Sequence, residues 1–345
     1  MQITKYEKLI PENIAPYNAK RISVYDKETN SKVGSFGLQN LRAAGLGQKL
    51  YSFGALSDIH LQYNTAQEDF QRALTYLNGT EDVAFTCICG DLTDNGEDAD
   101  FATYKNYINA YSPNTPVYEC TGNHDVWNRV IPFDRMKPYT GHDLYYSFTQ
   151  GNDVFIMFGT QHYDNDGNAY TPFSQASLQW LYEILEANRN NRVFLFQHYL
   201  RFDGSGKPYS TAPTGDALMY GLNGSVFKSL TEHYKNVIWF HGHSHTRFDC
   251  QEDCSYANYD RMHGCHSVHI PSLAAPKDYE NDAYVAKYAE SEGYVVDVYA
   301  NHVVLRGRDF VKGEFLPIAQ YCLDTTLQTI APNTFTDSTG TIKTI

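Results

Sequence analysis

Between residues 50 and 309 short apolar runs alternate with helical patterns, without an internal sequence repeat. The runs cover 51–56, 83–89, 117–120, 154–158, 193–197, 237–241, 267–270, 294–299 and 302–306. Helical patterns intervene at 65–77, 98–110, 174–188 and 225–233, and Ser174 stands where an N-cap belongs. Strand–helix alternation of this kind predicts an α/β architecture with parallel strands. The last runs follow one another without helices, which predicts an antiparallel portion and therefore mixed sheets. Ahead of this region, 21–25 and 32–36 alternate around the polar stretch 26–31 and predict a hairpin. The expected organisation is a strand-rich N-terminal extension at 1–49, one domain at 50–309, and a C-terminal extension at 310–345. Its last stretch, 334–345, is rich in Thr, Ser and Gly and reads as a tail.

A chain of 345 residues can bury a core without disulfide staples. Cys87 and Cys89 fall in a run that reads as a buried strand, where cysteine acts as a small hydrophobe. Cys250, Cys254, His263, Cys265 and His266 match the spacing of no standard zinc module. Reduced thiols, a Cys250–Cys254 disulfide and a structural zinc site all stay open there. The 27 Lys and Arg against 40 Asp and Glu leave a formal charge of −13. That balance argues against a surface that grips long nucleic acid or an anionic membrane, while a local cationic site stays open. No apolar run has the length of a membrane span. Met1 to Lys8 lacks the apolar core of a secretory signal. The expectation is a cytoplasmic protein, with a virion-associated or exported one as the alternative. The 28 Tyr, 19 Phe and 3 Trp would suit an aromatic surface for sugars, bases or protein, a choice that composition does not make.

Chemistry concentrates in five clusters at the ends of five runs: Asp58-Ile59-His60, Gly90-Asp91-Leu92-Thr93-Asp94, Gly122-Asn123-His124-Asp125, Gln197-His198, and Gly242-His243-Ser244-His245. Carboxyl ends of strands are where ligands collect in open α/β sheets. Any one cluster alone would pass for a turn or a hydrogen-bonded core histidine. Together they offer two carboxylates, an amide oxygen and four imidazoles, a donor set for a divalent metal of intermediate softness such as Mn, Fe or Zn. Residues i and i+2 of an extended segment point the same way, so Asp58 and His60 can share one ion. The donors exceed what one ion needs, and Asp91 is the natural carboxylate to bridge two.

This ordered set resembles the calcineurin-like metallophosphoesterase superfamily, block for block, over roughly 51–309. The resemblance implies a four-layer sandwich of two mixed β-sheets flanked by helices, enclosing a two-metal site. It implies that Asp58, His60, Asp91 and His245 hold one ion, and that Asp91, Asn123, His198 and His243 hold the other. It makes His124 the acid beside the leaving group, with Asp94 and Asp125 orienting it and its loop. Purple acid phosphatases carry a tyrosine ligand three positions after the aspartate of the Gly-Asp block. Here that position is Asp94, and the spelling is closer to a bacterial phosphodiesterase-like branch.

The implied chemistry is attack on phosphorus by a hydroxide between two ions about 3.5–4 Å apart. With two carboxylates and the hydroxide, the centre keeps a charge of roughly +1 to attract phosphate. The expected substrate is a small phosphodiester. A phosphomonoesterase or nuclease would use the same centre, and a phage-type structural or assembly protein could carry the same fold. Residues 1–49 and 310–345 are where a homo-oligomer or an assembly would form. Tyr199, Arg201, the loop 202–209 and Trp127 lie near the blocks and could meet substrate. Arg129, Arg135, Lys137 and Arg201 would form the basic groove that a nuclease needs. His241, His263, His266 and His269 read as structural.

Overall fold

The computed structural model of the chain describes residues 21–25, 32–37, 46–126, 135–160, 173–199, 221–248, 259–260, 265–280 and 283–327. The elements begin with β1 (Arg21–Tyr25), β2 (Lys32–Gly37), β3 (Tyr51–Leu56), α1 (Ala66–Gly79), β4 (Phe85–Cys89), α2 (Asp98–Tyr111) and β5 (Val117–Cys120). There follow α3 (Lys137–Thr140), β6 (Tyr145–Gln150), β7 (Asp153–Phe158), α4 (Gln175–Ala187), β8 (Val193–Phe196), α5 (Gly221–His233) and β9 (Val237–His241). The last are β10 (Tyr259–Asp260), β11 (His266–His269), β12 (Lys277–Glu280), β13 (Ala283–Ala286), β14 (Glu292–Val298), β15 (His302–Asp309) and β16 (Glu314–Asp324).

Two six-stranded sheets carry the fold, in the orders β16-β15-β14-β3-β4-β5 and β10-β11-β9-β8-β7-β6. In the first, β3, β4 and β5 are parallel while β14, β15 and β16 are antiparallel. In the second, β7, β8, β9 and β11 are parallel, and β6 and β10 run antiparallel at the edges. Both sheets are mixed, as the run pattern predicts. The expected hairpin is present as β1 and β2, paired antiparallel.

The parallel strands are apolar on both faces because both faces are covered. Phe53, Phe85, Phe155, Phe194, Phe196 and Phe240 point between the sheets. Leu56 and Ile88 face the other way, against Phe70, Leu74 and Leu77 of α1 and Phe101 and Tyr104 of α2. On the far side Val193, Leu195, Val237 and Trp239 pack on Leu178, Leu181 and Leu185 of α4 and Phe227 and Leu230 of α5. The layers are therefore helix, sheet, sheet, helix. Ser174 caps α4 as expected, its side chain accepting a hydrogen bond from Ser177 N.

The phenylalanines find their use between the sheets. Phe53 meets Phe155 edge-on at 5.3 Å and Phe194 edge-on at 5.3 Å, while Phe155 and Phe194 stack at 4.6 Å. Cys87 and Cys89 are buried there as free thiols. The strand β16 runs through residues that the sequence pattern assigns to the C-terminal extension, and it pairs antiparallel with β15. Cys250, Cys254, His263, Trp127, Arg129, Arg201, the loop 202–209 and the tail 334–345 lie outside the described residues. Among the described residues, no helix is long and apolar enough to cross a membrane.

Candidate metal centre

The five clusters follow β3, β4, β5, β8 and β9. Three of these strands are parallel neighbours in one sheet and two in the other, so their carboxyl ends open on a common edge of the sandwich. Backbone hydrogen bonds tie the loops to one another: Asp58 N to Gly90 O at 3.1 Å, His60 N to Asp91 O at 3.0 Å, and Gly242 N to His198 O at 3.0 Å.

The main chain here is bent into a conformation that side chains ordinarily avoid. Among the described residues six non-glycines have positive φ, and five belong to the clusters: Asp58 (51°), His60 (40°), Asp91 (51°), His243 (71°) and His245 (60°). Each such residue costs about 1–3 kcal/mol, and strain of that kind gathers at functional sites. Asp58 and His60 do converge, but not by extended i, i+2 geometry, because both are left-handed and lie beyond the end of β3. Two glycines permit the close packing. A Cβ on Gly122 would fall on the Asp91 carboxylate, and one on Gly242 would fall on the Ser57 and Asp58 side chains.

Two donor sets result, and they share Asp91. Ligand atoms of Asp58, His60, Asp91 and His245 all lie within 4.8 Å of one another, as do those of Asp91, His198 and His243. His60 Nε2 and His245 Nε2 face each other at 3.1 Å, and His245 Nε2 is 3.0 Å from Asp58 Oδ1. His198 Nε2 is 3.1 Å from Asn123 Oδ1, 3.1 Å from Asp91 Oδ2 and 3.3 Å from His243 Nδ1. Asp91 Oδ1 accepts from His124 N at 2.9 Å, whereas the buried Oδ2 lies between two imidazoles, 3.1 Å from His198 Nε2 and 3.5 Å from His60 Nε2.

The remaining atoms are held so that lone pairs face inward. His198 Nδ1 donates to Cys89 O at 2.7 Å, which directs Nε2 at the carboxylates. Asp58 Oδ2 accepts from Ser57 Oγ at 2.6 Å and from His243 N at 3.0 Å. Burial opposes ionisation of Asp58 and Asp91, but the imidazoles of His245 and His198 outweigh it and hold both carboxyls below the usual range. Burial likewise opposes a charge on His198, yet Asp91 and Asp58 push its imidazole up to about 10. Burial keeps His243 and His245 neutral, each near 3. Ionised carboxylates, the neutral imidazoles of His243 and His245 and an amide oxygen fit one or two divalent cations, and a cation would take the place of the proton that Asp91 and Asp58 hold on His198. No thiolate takes part.

His124, Asp94 and His60 form a third group at the mouth. His124 Nδ1 donates to the Asp94 backbone oxygen at 2.8 Å, while the Asp94 carboxylate is 3.4 Å from it and 3.3 Å from His60 Nδ1. Asp94 thus addresses two imidazoles, where the sequence pattern pairs it with His124 alone. Asp125 turns inward. Its carboxylate accepts from Leu92 N, Thr93 N, Thr93 Oγ1 and Gly122 N, binding the Gly-Asp loop to the Gly-Asn-His-Asp loop. Burial and the nearby Asp91 charge push it up to about 6.

His241, His266 and His269 are occupied elsewhere, with Ser267 Oγ, Asp324 O and Thr246 O. Tyr199 meets His243 edge-on at 5.0 Å. Sequence reasoning missed Tyr63, whose ring stacks on His60 at 4.5 Å and whose hydroxyl hydrogen-bonds Asp94. Its place three residues after His60, in a turn closed by Tyr63 N to His60 O at 2.7 Å, is the signal that could have found it.

Residues 51–247, more than half of the chain, match the family described as calcineurin-like phosphoesterase. The chain belongs to that family. The matched segment ends just after the fifth cluster. Among curated proteins the chain is similar to the serine/threonine-protein phosphatase CPPED1 of Homo sapiens, 28% identical over 182 residues. That match covers 47% of this chain and 53% of the relative. The same protein of Pongo abelii is 27% identical over the same length and shares. The chain thus spans about half the length of the curated relatives it matches. Among solved structures, one titled as GAP50, the anchor in the inner membrane complex of Plasmodium, aligns with a TM-score of 0.51. The alignment is 12% identical and covers 82% of this chain and 90% of that one, so the likeness is one of fold.

Proposed function

We propose that this chain hydrolyses a small phosphodiester at a two-metal centre. Asp58, His60, Asp91 and His245 would hold one ion, and Asp91, Asn123, His198 and His243 the other. The observation that carries this reading is the pair of donor sets sharing Asp91, whose buried Oδ2 lies between His198 Nε2 at 3.1 Å and His60 Nε2 at 3.5 Å. Two divalent ions, Mn, Fe or Zn, would supply charge for the phosphoryl oxygens and acidify a water to serve as nucleophile at neutral pH. The chain's own part is positioning and proton transfer. His124, with Nδ1 committed to Asp94 O, exchanges a proton through Nε2 and protonates the departing oxygen. Asp94 steadies His60 and His124, and Asp125 holds their loops in register.

The phosphodiesterase-like branch is favoured by Asp94 in place of a tyrosine, and small substrates are favoured by the charges around the site. Arg135 pairs with Asp98 at 3.3 Å and Lys137 pairs with Asp143, so the described members of a basic groove are already neutralised. The name of the curated relatives supports a second reading, a phosphomonoester carried on protein. The fold alone would also suit an anchor, as the GAP50 title says of that protein, so the complete donor set carries more weight than the architecture.

The test is metal content together with turnover of nitrophenyl phosphodiester, nitrophenyl phosphomonoester and duplex DNA. About two ions per chain with turnover of the diester is the expected result. Preference for the monoester moves the reading to the second substrate class, and steeply salt-dependent cutting of DNA moves it to a nuclease. A chain that binds no metal removes the enzyme reading altogether.

A further inference from the structure

The segment that leaves the first cluster, Leu61-Gln62-Tyr63, makes a turn ahead of α1. Tyr63 N–H donates to His60 O at 2.7 Å, and Leu61 N–H donates to Leu92 O at 3.3 Å, which joins the turn to the Gly-Asp loop. Leu61 is fully buried in the core on the α1 and α2 side, so the turn is anchored from within. Its other two side chains reach different parts of the site.

Tyr63 reaches His60. The two rings stack at 4.5 Å with 5° between their planes, and the tyrosine also packs against the buried Ala66, Ala274 and Ala275. His124 meets the same imidazole edge-on at 4.7 Å. The ring plane of His60 is thus fixed by contacts, with Nε2 3.1 Å from His245 Nε2 and 3.5 Å from Asp91 Oδ2. A ligating imidazole needs its ring held in one orientation, and the Asp94 carboxylate, 3.3 Å from Nδ1, supplies only part of that.

Gln62 reaches Asp94. Its Oε1 accepts from Asp94 N–H at 2.8 Å, and the carbonyl of the same aspartate accepts from His124 Nδ1 at 2.8 Å. One side-chain amide therefore fixes the stretch of main chain on which the His124 imidazole rests. The preceding residue, Thr93, is tied to Asp125 and to Gly96 N, so Gln62 holds the exposed flank of a loop already fixed on its buried side.

We propose that Gln62 and Tyr63 are positioning residues that set the metal centre and the proton donor in register: Tyr63 fixes the His60 ring, and Gln62 fixes Asp94 under His124. This rests on the phosphoesterase reading above, and neither residue belongs to the five clusters. The physical reason for a shared turn is distance. A misplacement of about 1 Å between reacting groups can cost about 10²-fold in rate. A single turn that touches both imidazoles keeps their separation constant when the loops around them fluctuate.

The test titrates metal-free wild type, Tyr63→Leu, Tyr63→Phe and Gln62→Met with manganese by calorimetry, beside thermal melts and turnover of nitrophenyl and alkyl phosphodiesters. Removing a group that orients a ligand costs about 10–100-fold in metal affinity. Tyr63→Leu should show that loss at one of the two ions and bind the other as wild type does, a selectivity that general loosening would not produce. Tyr63→Phe keeps the stacked ring and stays within about threefold of wild type. Gln62→Met binds both ions normally and, short of one hydrogen bond, loses about 3–10-fold in kcat for the alkyl diester. The nitrophenyl diester is cut at near the wild-type rate, and in a His124→Ala background the Gln62→Met loss disappears. If Tyr63→Leu loses its cooperative melt, Tyr63→Met takes its place. Equal manganese affinity in wild type and Tyr63→Leu, or a Gln62→Met alkyl rate that matches wild type or falls as far without His124, overturns the assignment and leaves the phosphoesterase reading standing. Wild-type protein that takes up no manganese overturns both.

Discussion

The two ends of the sandwich bury charge in opposite ways. At the amino ends of the parallel strands, Asp153 receives two hydrogen bonds from Arg192, at 3.0 and 2.6 Å, and a third from the Tyr51 hydroxyl. Arg192 spends its remaining donors on Tyr299 O and Thr325 Oγ1. Near the same end Asp297 is held by Ser52 Oγ and Arg306, and Arg306 reaches Glu81 as well. Asp153, Asp297 and Glu81 each meet a guanidinium of permanent charge. At the carboxyl ends, Asp58 and Asp91 are as deeply buried but meet imidazoles, backbone N–H groups and a hydroxyl in place of a guanidinium, and the backbone that carries them is left-handed. The first arrangement is complete in itself and fastens the two sheets together. The second has no fixed cation of its own and offers a donor set suitable for a divalent one.

Asp91→Asn tests that contrast most severely. Removing the shared carboxylate should eliminate most of the turnover and lower the metal stoichiometry from two to one. The urea midpoint of the metal-free protein should fall at neutral pH, because His198 holds Asp91 ionised and its own raised imidazole loses that counter-charge. Near-wild-type stoichiometry and rate in this variant would sink the shared-ligand reading.

His124→Ala should keep both ions and lose about 10²–10⁴-fold in rate for alkyl leaving groups. Nitrophenyl esters should suffer much less, since their leaving group departs without a proton. An equal loss for both classes would count against His124 as the acid.

At the other end, Arg192→Met strands a buried Asp153, and breaking a buried pair costs about 3–5 kcal/mol. Urea unfolding should show that loss, while kcat per folded molecule and metal content stay unchanged. Lost metal at unchanged stability would contradict the division between the two ends.

The smallest expected effect is one of pH. Burial alone would raise the Glu81 carboxyl, but hydrogen bonds and charge from Arg306, with the Tyr76 hydroxyl, outweigh it and lower the group. A lowered folded-state value contributes stability that is present above the ordinary carboxylate value, and that is lost as pH falls through the lowered one. Unfolding free energy measured from pH 6 downward should therefore show a flatter acid limb in Glu81→Gln than in wild type. Coincident limbs would show that Glu81 carries no such linkage.

Much of this was legible in the chain. The apolar runs at 51–56, 154–158 and 237–241 coincide with the inner strands β3, β7 and β9, because strands covered on both faces are mostly apolar. The half-exposed edge strand β6 left no such run, with Tyr145 to Gln150 only partly buried or exposed. Nor did β16, which contains Pro317 and Gln320 and extends the sheet by pairing with β15. Edge strands need only one apolar face, so their pattern is weak.

Within the site, residue types and order determined which side chains could act. The five clusters offer a candidate donor set of carboxylates, an amide oxygen and imidazoles on their own. What only the tertiary structure decided is how those atoms are aimed. The left-handed turns at Asp58, His60, Asp91, His243 and His245 converge only because two sheets pack face to face. Local sequence specifies strands and turns through periodicity and short-range sterics. A strained φ persists only where contacts from distant segments over-determine it, and those contacts exist only once the sheets have packed.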